Sequence, residues 1–409
     1  MNVADFSGKT FLILSGGTEA VPGISSLKNA RAKLVIFDAN PDAPAKPFAD
    51  IFKAVDIYDE TKVISAIKAS EFSKIDGVLS IGTDNPKSIS CAKKVLGLSN
   101  VNERASKIAT NKYSMNNVLH SLGLKSGFFL RIRGSESENK NLPKFNRPYV
   151  LKPIDSRGSR GVYRIHSRSE FDDYLIGSLN FSKSGWCVLE EWLSGPQLSA
   201  ELLVFKGKSF LCGLADRNYS SIDRTAPFII ENGGETPSIF SSNKNQKEIE
   251  LISDKVIANL QMSNGSIKFD LVYHKNKFLV IEFATRLSGG AFSTKTIPAV
   301  YNYDLIGNLA KIELGLEPDF PEPIEKNYKF QINRFIFPRT GKIKEVYNNV
   351  RMNRDILNCE VYVKPGDVTS GSVSDHTQRS GHVNLVGNSR AECLEKMQRI
   401  LKDIVIEYE

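Results

Sequence analysis

The stretch Ile267–Arg286, IKFDLVYHKNKFLVIEFATR, restricts the possible folds more than any other part of the chain. Apolar and polar residues alternate through two runs on either side of a Lys-Asn-Lys break, the pattern of two antiparallel strands. Odd positions carry Ile267, Phe269, Leu271 and Tyr273, then Leu279, Ile281 and Phe283. Even positions carry Lys268, Asp270 and Val272, then Val280, Glu282 and Ala284. A three-residue turn at Lys275–Lys277 keeps the apolar set on one face and sets Asp270 opposite Glu282, with Cβ atoms about 5 Å apart. A two-residue turn at Lys275–Asn276 would pair even positions with odd ones and mix carboxylates with the apolar set. Two carboxylates that close repel unless a cation lies between them or one is protonated. Hard oxygen ligands of this kind suit Mg²⁺, which commonly takes one or two carboxylates plus substrate phosphates. Arg286 then stands at the mouth of the site. The competing assignment is a surface pair neutralised by Lys268 or Lys275.

Around this hairpin the chain changes character twice. Short apolar runs at Phe11–Leu14, Leu34–Phe37 and Gly77–Ile81 alternate with helical stretches at Gly23–Arg31, Thr61–Ser70 and Asn85–Leu96. That spacing implies a doubly wound parallel sheet, whose ligands bind beyond the carboxyl ends of its strands. Gly16, Gly17, Asp38 and Asp84 sit at those ends. A helix is expected from a Thr110 cap through Lys112 to Leu122, and residues 131–147 read as a polar loop. From Tyr149 to about Gly315 the pattern is strand-rich, Leu316–Glu325 reads as a linker, and the remainder holds short strands, a helix at Arg390–Ile404 and a final strand at Val405–Tyr408.

Two further segments carry chemistry. Tyr149–Pro153 reads as a strand ending at Lys152, followed by a loop containing Ser156, Gly158, Ser159 and Gly161 and then a second strand at Val162–Ile165. Glycines allow close backbone approach, and exposed N–H groups make an anion-binding concavity beside an ammonium. No G-K-[ST] follows, so this is not a P-loop; an ordinary hairpin with a basic tip fits the same letters. Val188–Gln197 brings Glu190, Glu191, Trp192 and Leu193 to a strand end, where backbone groups could read a purine edge and Gln197 could face a ribose. A surface strand end accounts for those letters too.

Composition removes other classes. The charge is +8 with 54 basic residues, but no tract of five or more occurs and no aromatic-studded RNA motif accompanies them, which argues against nucleic acid. No apolar stretch approaches the roughly 18–20 residues of a membrane span, and the first residues lack a leader pattern, so a cytoplasmic protein is expected. Five scattered cysteines form no C-x-x-C pair, consistent with reduced thiols. Asp38, about 21 residues after Gly17, would suit a dinucleotide ribose, but Ser15-Gly16-Gly17 lacks the G-x-G-x-x-G spacing.

Taken in order, Lys112, Lys152 with its Gly/Ser loop, Glu190–Gln197 and Asp270…Glu282…Arg286 resemble the ATP-grasp superfamily, over about residues 5–315. Arg379–Ser389 is similar to the closing domain of L-amino-acid ligases. The resemblance implies an α/β and α+β chain with an N-terminal doubly wound domain (1–105), a two-subdomain ATP-grasp (106–315, with a mobile lid at about 125–188) and a small α+β closing domain (316–409). It implies ATP and Mg²⁺ as cofactors, Lys112, Lys152 and the Ser156–Gly161 loop on the phosphates, and Glu190–Leu193 and Gln197 around the nucleoside. It further implies Asp270 and Glu282 on the metal and Arg286 on the acyl-phosphate side. Gly16, Gly17, Asp84, Ser288, Gly289 and Gly290 are expected to meet substrate. Gln197 stands where many members have a carboxylate, and Ala284 where an asparagine is common, which leaves one or two Mg²⁺ ions open. The implied reaction joins a carboxylate to an amine, amino acid or amino sugar, through an acyl phosphate, in a chain that could be a homodimer. Carboxylation of an amine through carboxyphosphate, or nucleotide sensing without turnover, are the alternatives.

Overall fold

The computed structural model describes residues 4–69, 74–134 and 141–409; residues 135–140 of the expected polar loop and Ser70 of the expected second helix lie outside them. Strands β1 (Thr10–Ile13), β2 (Lys33–Asp38), β3 (Ile51–Ala54) and β4 (Gly77–Leu79) form a parallel sheet in the order β3-β2-β1-β4. Alternate residues of β1 enter different cores. Phe11 and Ile13 pack with Ile24 and Leu27, whereas Leu12 packs with Val63, Ile67 and Ala92. A strand covered on both faces has to be apolar throughout, which is why these runs lack alternation. The sequence reading omits β3, an edge strand whose residues are half exposed and carry no apolar run.

A short helix, Glu103–Ala109, precedes helix Lys112–Ser121. The cap of the latter is Asn111, whose side chain accepts from the Ser114 amide at 2.9 Å, and not Thr110. Thr110 instead donates its hydroxyl to the Ser106 carbonyl at the end of the preceding helix. β5 (Phe129–Ile132), β6 (Tyr149–Pro153), β7 (Tyr163–Ile165) and β8 (Cys187–Glu191) form a small antiparallel sheet, covered by helix Arg168–Leu179 through Phe171 and Leu175.

The largest sheet has eight antiparallel strands in the order β13-β12-β9-β10-β11-β14-β18-β16. They are β9 (Gln197–Phe205), β10 (Lys208–Arg217), β11 (Gly234–Thr236), β12 (Gly265–His274), β13 (Lys277–Ala284), β14 (Phe330–Ile336), β16 (Ile356–Val361) and β18 (Gly381–Gly387). Because β14 pairs with β11, hydrogen bonding crosses the expected boundary at 316 without interruption. The closing region adds a three-stranded sheet of β15 (Gly341–Asn348), β17 (Val368–Thr369) and β19 (Ile404–Tyr408), and helix Arg390–Lys402 packs on the β14–β18 pair through Cys393 and Met397.

The β12–β13 hairpin corrects one step of the sequence argument. Its turn has two residues, Lys275 and Asn276, with φ of 47° and 62° and His274 opposite Lys277. Asp270 still pairs with Glu282, because the register slips between Asp270 and Leu271, which pairs with Val280, so that Ile281 is the extra residue of a β-bulge. The turn alone would have moved the carboxylates to opposite faces; the bulge returns them. Among the described residues, no helix is long and apolar enough to cross a membrane.

Candidate functional site

The small antiparallel sheet and the eight-stranded sheet face each other across a cleft of about 410 Å³. Lys112, Lys152, Ser156, Gly158, Ser159, Glu190, Glu191, Leu193, Gln197, Asp270, Glu282, Arg286, Ser288, Gly289 and Gly290 all line it. Gly16, Gly17, Asp84 and Gly161 do not. The Gly16 amide donates to Asp38 at 2.8 Å, and a Cβ there would meet the Asp38 Cβ at 2.9 Å, so only glycine fits at this end of β1. Gly161 packs under Phe181 and Pro153, with φ of 70°. Asp84 reaches the cleft indirectly: its carboxylate lies 3.5 Å from Arg286 Nε, and its carbonyl accepts from Arg157.

On the lid side, Val150 pairs with Glu190, and Lys152 is two residues on along the same face. Lys152 Nζ therefore reaches Glu190 Oε1 at 2.6 Å. Glu190 Oε2 accepts from Lys125 Nζ at 3.0 Å and from Asn116 at 2.7 Å. Burial opposes ionisation of Glu190, but Lys125 and Lys152 outweigh it and hold the carboxyl down to about 2. Burial, with Lys152 adding its like charge, draws Lys125 down to about 8. Two ammonium groups thus share one carboxylate, and a buried excess of positive charge is costly until an anion arrives. Val150, Trp192, Leu193 and Ile281 supply an apolar wall beside it.

The loop after β6 is held from three directions. Lys112 Nζ donates to the Ser156 carbonyl at 2.6 Å. Arg157 stacks on Tyr58 at 3.6 Å, and Ser159 Oγ lies 3.1 Å from His376 Nε2. Gly158 and Ser159 both adopt left-handed backbone, φ 66° and 60°, which turns successive amides the same way.

On the floor, Asp270 is 4% exposed. Lys268 Nζ reaches its Oδ1 at 2.8 Å and Arg217 Nη1 its Oδ2 at 3.0 Å. Burial alone would raise its pKa, yet the charges of Arg217 and Lys268 keep it well below the usual carboxylate range. Lys268 is thus a counterion of Asp270, as the competing assignment has it, but Asp270 is buried and both residues line the cleft. Arg217 also binds Glu231 through Nε at 2.6 Å. Arg286 Nη1 donates to the Leu287 carbonyl at 3.0 Å, and its Nε is buried without a hydrogen-bond partner. Ser288 donates its amide to the buried Glu201 at 3.0 Å, and Ala291 donates to Glu19 at 2.9 Å, so the Gly289–Gly290 turn is fixed at both ends.

Metal fit can be judged from this donor set. Among the described residues, no group of three or more His, Cys, Asp or Glu side chains converges as a metal site. The set is the carboxylate pair Asp270 and Glu282, which suits a hard cation that completes its shell with phosphate oxygens and water, and does not suit zinc.

Lys125, Arg217, Glu231, His376 and Arg379 were not singled out from the sequence. Arg217 had a signal: Gly213, Ala215 and Arg217 alternate along β10 and so end on one face. Lys125, in a loop, had none; Arg379 opens the segment likened to the closing domain, but nothing in its letters placed it in the cleft, 109 positions beyond Asp270.

Residues 109–290 match the ATP-grasp domain family. Those residues carry an ATP-grasp domain, and the chain as a whole has the fold of ATP-grasp neighbours of known structure. Residues 334–409 match L-amino acid ligase C-terminal domain 2, placing the likeness among carboxylate–amine ligases. A D-alanine–D-alanine ligase of Wolbachia pipientis subsp. Culex pipiens is 30% identical over 102 residues, 24% of this chain and 31% of that protein. A 3-methyl-D-ornithine–L-lysine ligase of Methanosarcina mazei is 22% identical over 195 residues, 48% of this chain and 46% of that protein. The chain thus spans between about a third and a half of the length of these curated relatives. The crystal structure of L-amino acid ligase from Bacillus licheniformis superposes with a TM-score of 0.78 at 17% identity, covering 98% of this chain and 99% of that one. Phosphoribosylglycinamide synthetase from Anaerococcus prevotii gives 0.72 at 18% identity, covering 98% and 100%. At these identities the superpositions establish the fold.

Proposed function

We propose that this protein is an ATP-dependent ligase that joins a small-molecule carboxylate to an amine through an acyl phosphate, releasing ADP and phosphate. The observation that carries the reading is the convergence, in one cleft, of buried lysines with an amide-rich loop opposite the Asp270–Glu282 pair. Lys112, Lys152 and the loop amides would bind and align the triphosphate, and Glu190–Leu193 with Gln197 would hold the nucleoside. Asp270 and Glu282 would hold Mg²⁺, which when bound neutralises phosphate charge. Arg286, backed by Asp84, would steady the carboxylate and the negative charge that develops as the phosphoryl group is transferred. The amine then displaces phosphate. The three-way hold on the 156–160 loop supports a closed arrangement that excludes water. No nucleophilic Ser or Cys is required.

The test is a phosphate-release screen of pooled amino acids, amino sugars and other amines with Mg-ATP. ADP and phosphate are expected only when carboxylate and amine are both present. In Glu282→Gln that turnover should fall at least a thousandfold, with an unchanged circular dichroism spectrum. Undiminished turnover would remove the metal assignment. Release with bicarbonate and an amine, and no other carboxylate, would replace the reading by carboxylation.

A further inference from the structure

Two polar atoms on the closing side of the cleft are buried and have no hydrogen-bond partner. The first is Nε of Arg379. Arg379 lines the cleft and is 5% exposed. Its guanidinium lies 3.6 Å over the Phe335 ring, and Nη2 donates to the Glu231 carbonyl at 2.6 Å. Among the described residues no carboxylate ion-pairs with it, whereas the other buried cations of the cleft have one. Lys125 and Lys152 share Glu190, Arg217 has Glu231 and Asp270, and Lys268 has Asp270. Burial draws Arg379 down to about 10, against the more distant charge of Glu231, which is already paired with Arg217; a buried guanidinium without an anion in direct contact is costly to keep. The second is Oδ1 of Asn333. It lies on β14 two residues before Phe335, on the same face of the strand, and also lines the cleft. The line Arg379–Glu231–Arg217–Asp270 ties this corner to the floor of the site.

We propose that Arg379 is a specificity-determining residue that takes an oxyanion of one substrate, with Asn333 Oδ1 accepting a hydrogen bond from a donor on the same molecule. The proposal rests on the ligase reading for the word substrate. Arg286, against Asp84 and the N-terminal sheet, and Arg379, on the closing region, are separate cations serving separate anionic groups. A planar fork suits a carboxylate and a phosphate monoester alike.

The test uses the full chain loaded with Mg²⁺ and a non-hydrolysable ATP analogue. Each L-amino acid is compared with its carboxamide, and ribose 5-phosphate with ribose, by thermal shift and calorimetry. The wild type is expected to bind at least one anion tenfold or more tightly than its neutral counterpart. An amino acid in that place identifies a carboxylate, and ribose 5-phosphate identifies a phosphate. Arg379→Gln should lose the preference with unchanged affinity for the nucleotide analogue. Arg379→Lys, which keeps the cation and the packing on Phe335, should retain part of it and guards against a folding defect. No anion preference in the wild type, or the same preference in Arg379→Gln, would overturn the proposal. An intact preference without ADP release in the screen would refute the ligase reading and leave the anion site standing.

Discussion

At the scale of single residues, the cleft is organised by charge that the protein balances only in part. Glu201 shows the cost. It is fully buried, its Oε1 has no partner, and burial pushes its carboxyl up to about 7 although the Ser288 amide favours the anion. A carboxyl whose pKa rises on folding binds a proton more tightly in the native state. Its stabilising contribution is therefore complete below the unfolded value near 4.5 and is lost as pH rises through 7. Glu201→Gln should thus gain stability relative to wild type between pH 5 and pH 8, by about 3 kcal/mol, as read from urea unfolding at each pH. A difference that stays flat with pH would show that Glu201 is ionised throughout. The acidic couple and Lys152 were legible in the sequence because strand periodicity fixes which residues share a face. Lys125 and the place of Arg379 in the cleft were not, since each residue lies in an irregular segment whose position depends on tertiary packing.

At the scale of elements, the β12–β13 hairpin shows how a correct pairing can follow from an incomplete account of the turn. The apolar pattern demanded that Asp270 face Glu282, and the chain meets the demand with a tight turn plus a bulge at Ile281 in place of a longer turn. Periodicity reports the face and not the means. The turn itself is suboptimal, because Lys275 holds a left-handed conformation that costs a side chain with a Cβ about 1 kcal/mol. Replacing Lys275-Asn276 by Asn-Gly, the preferred pair for a two-residue hairpin, should raise stability by about 1 kcal/mol and leave ADP release unchanged. A loss of activity would mean that the turn, and not the bulge, sets the carboxylate register. The parallel sheet of the first hundred residues was readable for a related reason: strands buried on both faces announce themselves as apolar runs, while edge strand β3 does not.

At the scale of the whole molecule, three regions meet at one loop. The N-terminal sheet supplies Tyr58 and the Asp84 carbonyl, helix Lys112–Ser121 supplies Lys112, and the closing region supplies His376. The eight-stranded sheet runs through from β13 to β16, so the closing region forms part of the cleft wall. Burial draws His376 down to about 4, which keeps its ring neutral beside Ser159 at neutral pH. The order of motifs along the chain pointed to Lys112 and the 156–161 loop, but the contacts of Tyr58 and His376 with that loop come only from packing. The central claim is that the cleft transfers a phosphoryl group to a substrate carboxylate. Its most direct test supplies carboxylates labelled with ¹⁸O in the full reaction with Mg-ATP and amine, and follows the released phosphate by mass spectrometry. The account predicts one labelled oxygen in each phosphate formed; ADP formation with unlabelled phosphate would contradict it.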